Sequence, residues 1–549
     1  MAITSTTPGP APVPVRPARK LVSMLLAPGA GMDTDAGTGT AAETDPGGGQ
    51  ARVFADGRAW SRTGLTARTA HLARTLREAG LGPGRSVLAL LDHDPAGLCF
   101  LAAASALGLR VLMPYNLRQA ALSEWTGIAT AARPDAVVHL RADPAGTEEL
   151  RALGLPVMRP LAGPPPAPEA VPAVPLVVHP EPVRDFLVLF SSGTTGVPKA
   201  ISVSEELVCL RVAAVTERLA FSSGARVLMS GLLNNTTGVI FSFGALLHDA
   251  TLFFPHGRDV ADWPAQVAEH RVTHMMLRPI AMKRFVAAAE ERGTDLSSLQ
   301  VVAYGAAAMP RDVLARGRRL MPCAWVQGYG LSETYGPFCW LDEDAHRAGR
   351  GLRQVYNVGR PDATLEVRLL PVDGGHADGV GEIAVRGAAR MEGYCDIRTG
   401  RVRPPREWMR TGDLGVWGPD GDLLLKGRRA GSLLSADGHR IYPEEVEAVL
   451  TAVPGVDDAV LVGVADGDRP AGRPVACVAG PLCARGPGVV RAAVTAALSG
   501  VLSPEKWPDL LWASPAPFPR SANDKVRRGA VAAAAATASL VPLVPQETS

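Results

Sequence analysis

Cysteine is sparse and unpatterned in this 549-residue chain: seven residues, none in a CxxC pair or a Cys/His cluster. Such a set argues against a disulfide framework and against a zinc site, and it fits reduced thiols in a cytoplasm. Long apolar runs are missing as well. The longest without a charge, about residues 97–109, falls short of the roughly 20 residues that a membrane span needs, so a buried helix is expected there and no membrane partner. Excess charge is also lacking. A formal net charge of +2 gives no reason to expect nucleic acid or an acidic membrane as the main partner. Arg16, Arg19 and Lys20 precede LVSMLLA somewhat as in a secretory leader, but the basic part is Pro-rich and the apolar part short, so secretion is not expected.

What is present begins with size. A chain this long exceeds one compact core, so two or more domains are expected, and 47% hydrophobic with 20% charged residues is ordinary for a soluble globular protein. Residues 1–50 are rich in Pro, Ala, Gly and Thr without apolar periodicity and are expected to be a disordered extension. From Ala51 onward, helix-period segments such as TARTAHLARTLREAG (66–80) alternate with short apolar runs: SVLALL (86–91), FLVLF (186–190), ATLFF (250–254), THMML (274–278) and LQVVAYG (299–305). That alternation predicts an α/β fold with a largely parallel sheet. After about residue 360 the texture changes to LEVRLL, GEIAVRG and GDLLLKG, short strands between Gly and Asp turns. A further unit starts near Gly427, with YPEEVEAVLTAV as a helix and DDAVLVGVAD as a strand; the alanine-rich tail from Ala530 is of low complexity.

The segment FSSGTTGVPKA (190–200) carries the first chemical signal. Gly193 and Gly196 open backbone conformations closed to other residues. Ser191, Ser192, Thr194 and Thr195 add hydroxyls, and Lys199 adds a charge. These are the parts of a phosphate cradle, although GxxxxGK[ST] is absent; by itself the segment is equally open to reading as a turn or linker.

Other segments narrow the choice: GYGLSETYGP at 328–337, RTGD at 410–413, GR at 427–428 and PRSANDKVRR at 519–528. In this order and separation they resemble the adenylate-forming (ANL) superfamily, which contains acyl-CoA synthetases, peptide-synthetase adenylation domains and luciferases. The resemblance runs from about residue 51 to 530. It implies a large N-terminal domain (51–426) of two αβ subdomains plus a small β region, a smaller mobile α+β C-terminal domain (427–530), and a tail at 531–549. It also implies a two-step reaction. A carboxylate attacks the α-phosphorus of ATP, giving acyl-AMP and pyrophosphate, and a thiol of coenzyme A or a carrier protein then displaces AMP. Both steps need stabilisation of phosphoryl charge.

By the same resemblance, Ser191, Ser192, Gly193, Thr194, Thr195, Gly196 and Lys199 would grip the terminal phosphates. Glu333 would help hold Mg2+, a cation that prefers carboxylate and phosphate oxygens, and Thr334 would sit beside the α-phosphate. Tyr329 would stack on adenine near Gly305, Asp413 would accept from the ribose hydroxyls, Arg428 would reach ribose or phosphate, and Lys525 would bridge the carboxylate and the α-phosphate. Each has a plainer alternative: Glu333 as a solvated loop carboxylate, Tyr329 as a core aromatic, Asp413 as a turn residue, Lys525 as one of a solvated basic run.

The chain departs from the family pattern in several places. Ala430 stands at the hinge position, where the family carries Asp or Lys, and Asp524 replaces the glycine before Lys525. GLLNNTTGVIF (231–241) has Asn234 and Asn235 where many acyl-CoA synthetases have an aromatic–His pair. These amides either face the acid substrate beside Gly330 or cap local backbone. Arg278 occupies a usually apolar place, where it could pair a second anionic group of the substrate or an acidic side chain of the protein. Gly438 in GHRIYP matches the glycine beside which the pantetheine arm passes. The expectation is a cytoplasmic acid–CoA ligase for a small or medium, polar or aromatic acid. Carrier-protein or amine acceptors, and a catalytically lapsed nucleotide-binding protein, stay open.

Overall fold

Short strands rich in Val, Leu and Ile, buried on both faces, need helices on either side, and the chain builds two such layered sheets. The computed structural model describes residues 20–26, 51–114, 122–141, 146–159, 176–191, 199–257, 259–353, 356–372, 379–435, 440–466, 469–520 and 526–543. It has a large N-terminal α/β domain and a smaller C-terminal α+β domain. In the eight-stranded sheet the strands Arg110–Met113, Ser86–Leu90, Ala136–His139, Val157–Met158 and Leu187–Ser191 run parallel, and the edge through Lys199–Val203, Gly393–Cys395 and Val402–Arg403 is antiparallel. In the nine-stranded sheet Ala51–Ala55, Thr251–Phe253, Arg226–Leu228, His274–Leu277, Val301–Gly305 and Ala324–Leu331 are parallel, with antiparallel strands at both edges.

Helices Arg62–Glu78, Pro95–Leu107, Glu205–Arg218 and Thr236–Leu247 join residues of both sheets in one continuous buried cluster. Pro95–Leu107 is apolar around its whole circumference and almost wholly buried, as its uncharged sequence requires. Asp94 caps its first turn, accepting from the amides of Ala96 and Gly97. A third, four-stranded antiparallel sheet comprises Leu365–Leu370, Gly381–Gly387, Met409–Trp417 and Leu423–Arg428. The C-terminal domain has its own cores and a sheet of Asp458–Asp466, Arg469–Ala479, Leu510–Ser514 and Val541–Pro542. Among the described residues no helix is long and apolar enough to cross a membrane.

One expectation about the ends of the chain is corrected. Within the extension expected to be disordered, Leu21–Leu26 is a helix with Leu21, Val22, Met24 and Leu25 buried in the main core. Four buried apolar residues in six suffice to anchor a short segment when a matching polar anchor exists, and the fully buried Glu205 provides it. Its carboxylate accepts from the Leu21 amide at 2.9 Å, the Val183 amide at 3.0 Å and the Ser105 hydroxyl, and pairs with Lys20 at 3.5 Å. The alanine-rich tail, on which the sequence was uninformative, contributes structure among its described residues. Helix Arg528–Ala535 buries Val531 and Ala535, and Val541–Pro542 pairs with Leu510 and Leu511; alanine is both small and strongly helix-forming, so low complexity did not preclude a packed helix.

Candidate active site

The parallel strands end along one edge, where open α/β sheets bind ligands. Leu187–Ser191 enters that edge and Lys199–Val203 leaves it, paired in register from Leu187↔Val203 to Ser191↔Lys199. Ser191 and Lys199, which flank residues 192–198 in sequence, are thus paired across the two strands. Ser192, Gly193, Thr194, Thr195 and Gly196 lie outside the described residues, as do Lys525 and Gly438. Of Ser191 the backbone is placed as the last residue of its strand.

Gly305 ends Val301–Gly305 opposite Gly328 of the next strand. A Cβ on Gly305 would lie 2.3 Å from the Gly328 carbonyl oxygen, and one on Gly330 would lie 2.1 Å from that of Gly336. Both glycines are therefore required by backbone approach, a structural role for Gly330 beside the pocket role expected for it. Ala306 follows Gly305 with φ +67°, a left-handed conformation unusual for alanine, at an exposed position on the site edge.

GYGLSETYGP is a strand–turn–strand unit: Ala324–Leu331, a short 3₁₀ turn Ser332–Thr334, then Gly336–Leu341. Thr334 is fully buried. Its hydroxyl accepts from the Leu331 amide at 3.1 Å and lies 2.8 Å from the Gly336 carbonyl oxygen. The expectation that this hydroxyl faces the α-phosphate is corrected, since its hydrogen bonds close the turn. Ser332, two residues earlier on the same turn, is half-buried.

Glu333 is also half-buried. Its Oε1 accepts from the Tyr394 hydroxyl at 2.9 Å, and its carbonyl accepts from the Met391 amide at 2.7 Å. The Tyr394 ring in turn lies beneath the Lys199 ammonium, 5.4 Å from Nζ to the ring centroid. The sequence reading missed Tyr394. An exposed tyrosine in the short, glycine-led strand Gly393–Cys395 was the available signal.

Asp413, 6% exposed, joins two other candidates. The Tyr329 hydroxyl donates to its Oδ2 at 2.7 Å, and Arg428 Nε lies 2.7 Å from its Oδ1. Burial raises the Asp413 carboxyl above the usual range, while Arg428 and the Tyr329 hydroxyl act in the opposite direction. Burial also keeps the Tyr329 phenol protonated, reinforced by Asp413. Arg428 was expected to open the second unit; it instead ends the strand Leu423–Arg428, in register with Asp413. Gly427 before it has φ +137°, and the Glu444 carboxylate of the C-terminal domain fills the space a Cβ there would take.

The amide pair serves the backbone. Asn235 caps helix Thr236–Leu247 by accepting from the Gly238 amide at 3.0 Å, and the buried Asn234 donates to the Pro114 carbonyl at 3.0 Å. Of the two readings open for these amides, the hydrogen bonds fit the backbone one. Arg278 follows strand His274–Leu277 on the site edge, exposed, and among the described residues no acidic side chain lies within ion-pair distance of it. The plainer reading, an ion pair within the protein, finds no described partner.

The model of the AMP-binding enzyme family matches residues 40–395. A feruloyl-CoA synthase from Amycolatopsis sp. is 29% identical over 419 residues, 75% of this chain and 82% of the relative. A sulfoacetate–CoA ligase from Cupriavidus necator is 28% identical over 414 residues, 72% and 78% respectively. With several other curated relatives the match spans about half of their length. Among solved structures, the amide bond synthetase from Marinactinospora thermotolerans superposes with a TM-score of 0.75 at 25% identity, covering 88% of this chain and 96% of that one.

Proposed function

Because the chain belongs to the AMP-binding enzyme family, we propose that it is an AMP-forming acid–thiol ligase. It activates a small or medium, polar or aromatic carboxylic acid with ATP, releases pyrophosphate, and passes the acyl group to coenzyme A. The observation that carries this reading is that Lys199, paired with Ser191 across the strands that flank residues 192–198, lies on the same tyrosine that holds Glu333. The loop and Lys199 bind the outgoing pyrophosphate. Ser332 takes the place beside the α-phosphate that the buried Thr334 leaves, and Asp413 with Arg428 receives the ribose. Lys525 closes on the reacting carboxylate. Ligases of this kind gain most of their acceleration from positioning and fixed charge, because the phosphoryl transfer asks little proton chemistry of the protein.

Glu333 fits Mg2+. It offers a partly exposed carboxylate with one oxygen engaged by Tyr394, so the cation would take most of its ligands from phosphate and water. Bound there, Mg2+ would neutralise charge on the pyrophosphate as it leaves. Exposed Arg278 adds a cation to the substrate edge and supports an acid with a second anionic or polar group. The sulfoacetate named for one relative is such an acid.

A second reading keeps adenylation and changes the acceptor to an amine, favoured by the likeness to an amide bond synthetase and by Ala430 at the hinge position. Pyrophosphate release across a panel of acids, with and without coenzyme A, separates the two. Acyl-CoA formation supports the first reading. Acyl-AMP that persists with coenzyme A and disappears with an amine replaces it by the second, and no pyrophosphate from any acid refutes both.

A further inference from the structure

Lys199 and Glu333 carry opposite charges on the same rim, yet no ion pair joins them. The group between them is Tyr394. Its strand, Gly393–Cys395, pairs antiparallel with Lys199–Val203 (Tyr394↔Ile201, Cys395↔Ala200), so it is laced to the strand leaving the phosphate loop. The same segment is tied to the Glu333 turn through the Met391 amide. Gly393 fixes the entry, since a Cβ there would lie 2.0 Å from the Arg403 carbonyl oxygen. Tyr394 is thus held from both sides while its side chain is 38% exposed toward the rim.

We propose that Tyr394 is a positioning residue that keeps the two charges apart and available: its hydroxyl occupies Glu333 Oε1 and turns Oε2 toward a divalent cation, while its ring receives the Lys199 ammonium. The proposal rests on the phosphate and metal roles given above to Lys199 and Glu333. Without a tyrosine between them, Lys199 and Glu333 would pair directly, and each would be lost to the nucleotide. A cation over an aromatic face is held weakly at an exposed site, so the lysine is released readily when phosphate arrives. A hydrogen bond to a carboxylate is the stronger of the two restraints.

The test is equilibrium binding of a non-hydrolysable ATP analogue by calorimetry, across a range of Mg2+ concentrations, with thermal unfolding measured alongside. Tyr394→Phe removes the hydroxyl and keeps the ring. It is expected to raise the Mg2+ concentration for half-maximal binding by about 10-fold, the loss of one hydrogen bond to a charged group, with an unchanged unfolding temperature. Tyr394→Ala, which also removes the ring, is expected to weaken analogue binding at every Mg2+ concentration. In a Glu333→Gln background, Tyr394→Phe is expected to add nothing to the Mg2+ dependence. An unaltered Mg2+ dependence in Tyr394→Phe overturns the proposal, as does an effect that persists undiminished in the Glu333→Gln background. If the unaltered protein binds no analogue at any Mg2+ concentration, the adenylating reading itself fails, and this inference with it.

Discussion

Gly305→Ala should separate what the site needs from what the fold needs. The added Cβ would lie 2.3 Å from the Gly328 carbonyl oxygen, where ordinary contact begins near 3.4 Å. Roughly an ångström must be found between two hydrogen-bonded parallel strands, and close-packed interiors have no such slack. The obstacle is backbone, so no side chain can rotate aside. The neighbouring strand Ala324–Leu331 must move, and it carries Tyr329 and leads directly into Glu333. Overpacking of this kind costs about 1–3 kcal/mol of stability, and displacing catalytic groups by ~1 Å costs on the order of 100-fold in rate. The expected result is ATP–pyrophosphate exchange reduced about 100-fold in a protein that still unfolds cooperatively in urea. Gly127→Ala is the control. It lies exposed in helix Leu122–Ala132 with nothing within 4 Å of its new Cβ, so it should gain about 0.5–1 kcal/mol from helix propensity and keep full activity. Full exchange activity in Gly305→Ala would refute the claim that this backbone approach sets the site.

Three further outcomes are expected. Burial alone would raise the Glu343 carboxyl, but hydrogen bonds from Arg318, the Trp325 amide and Arg347 together lower it to about 2. Its contribution is therefore complete above its unfolded value of 4.5 and lost as pH falls toward about 2, and Glu343→Gln should flatten the stability–pH slope across that window in urea titrations. A slope unchanged by the substitution would show that Glu343 is not linked to folding. Lys20→Met leaves the buried Glu205 carboxylate with only neutral donors, and the urea midpoint should fall by the equivalent of about 1–3 kcal/mol; no change would mean that Lys20 does not complete the anchor. Lys525→Ala should slow adenylation far more than transfer from preformed acyl-AMP, measured by single-turnover kinetics of each half-reaction, and equal losses in both would contradict the role proposed for Lys525.

The alternation of helix and strand and the antiparallel β region after residue 360 were legible because each follows from local periodicity and from Gly and Asp turn chemistry. Reading errors arose where a side chain's meaning depends on what lies across from it. Asn235 reads equally as a cap or a pocket amide until Gly238 is placed beneath it. Thr334 and Ser332 both offer hydroxyls near Glu333, and only the closure of the turn decides which one is buried. LVSMLL is too short to announce itself as core. It became core because Glu205, some 180 residues later, supplies an acceptor for its first amide.

The sequence alone determined the fold class, through its periodicity, and the family, through the resemblance its motifs carry, since both are properties of the chain's own order. Tertiary structure alone decided that Arg428 and Tyr329 meet on one carboxylate, and that Tyr394 stands between Lys199 and Glu333. Those contacts join residues separated by 15 to 195 positions. Sheet register and backbone approach set them, and neither is written in any single stretch of sequence.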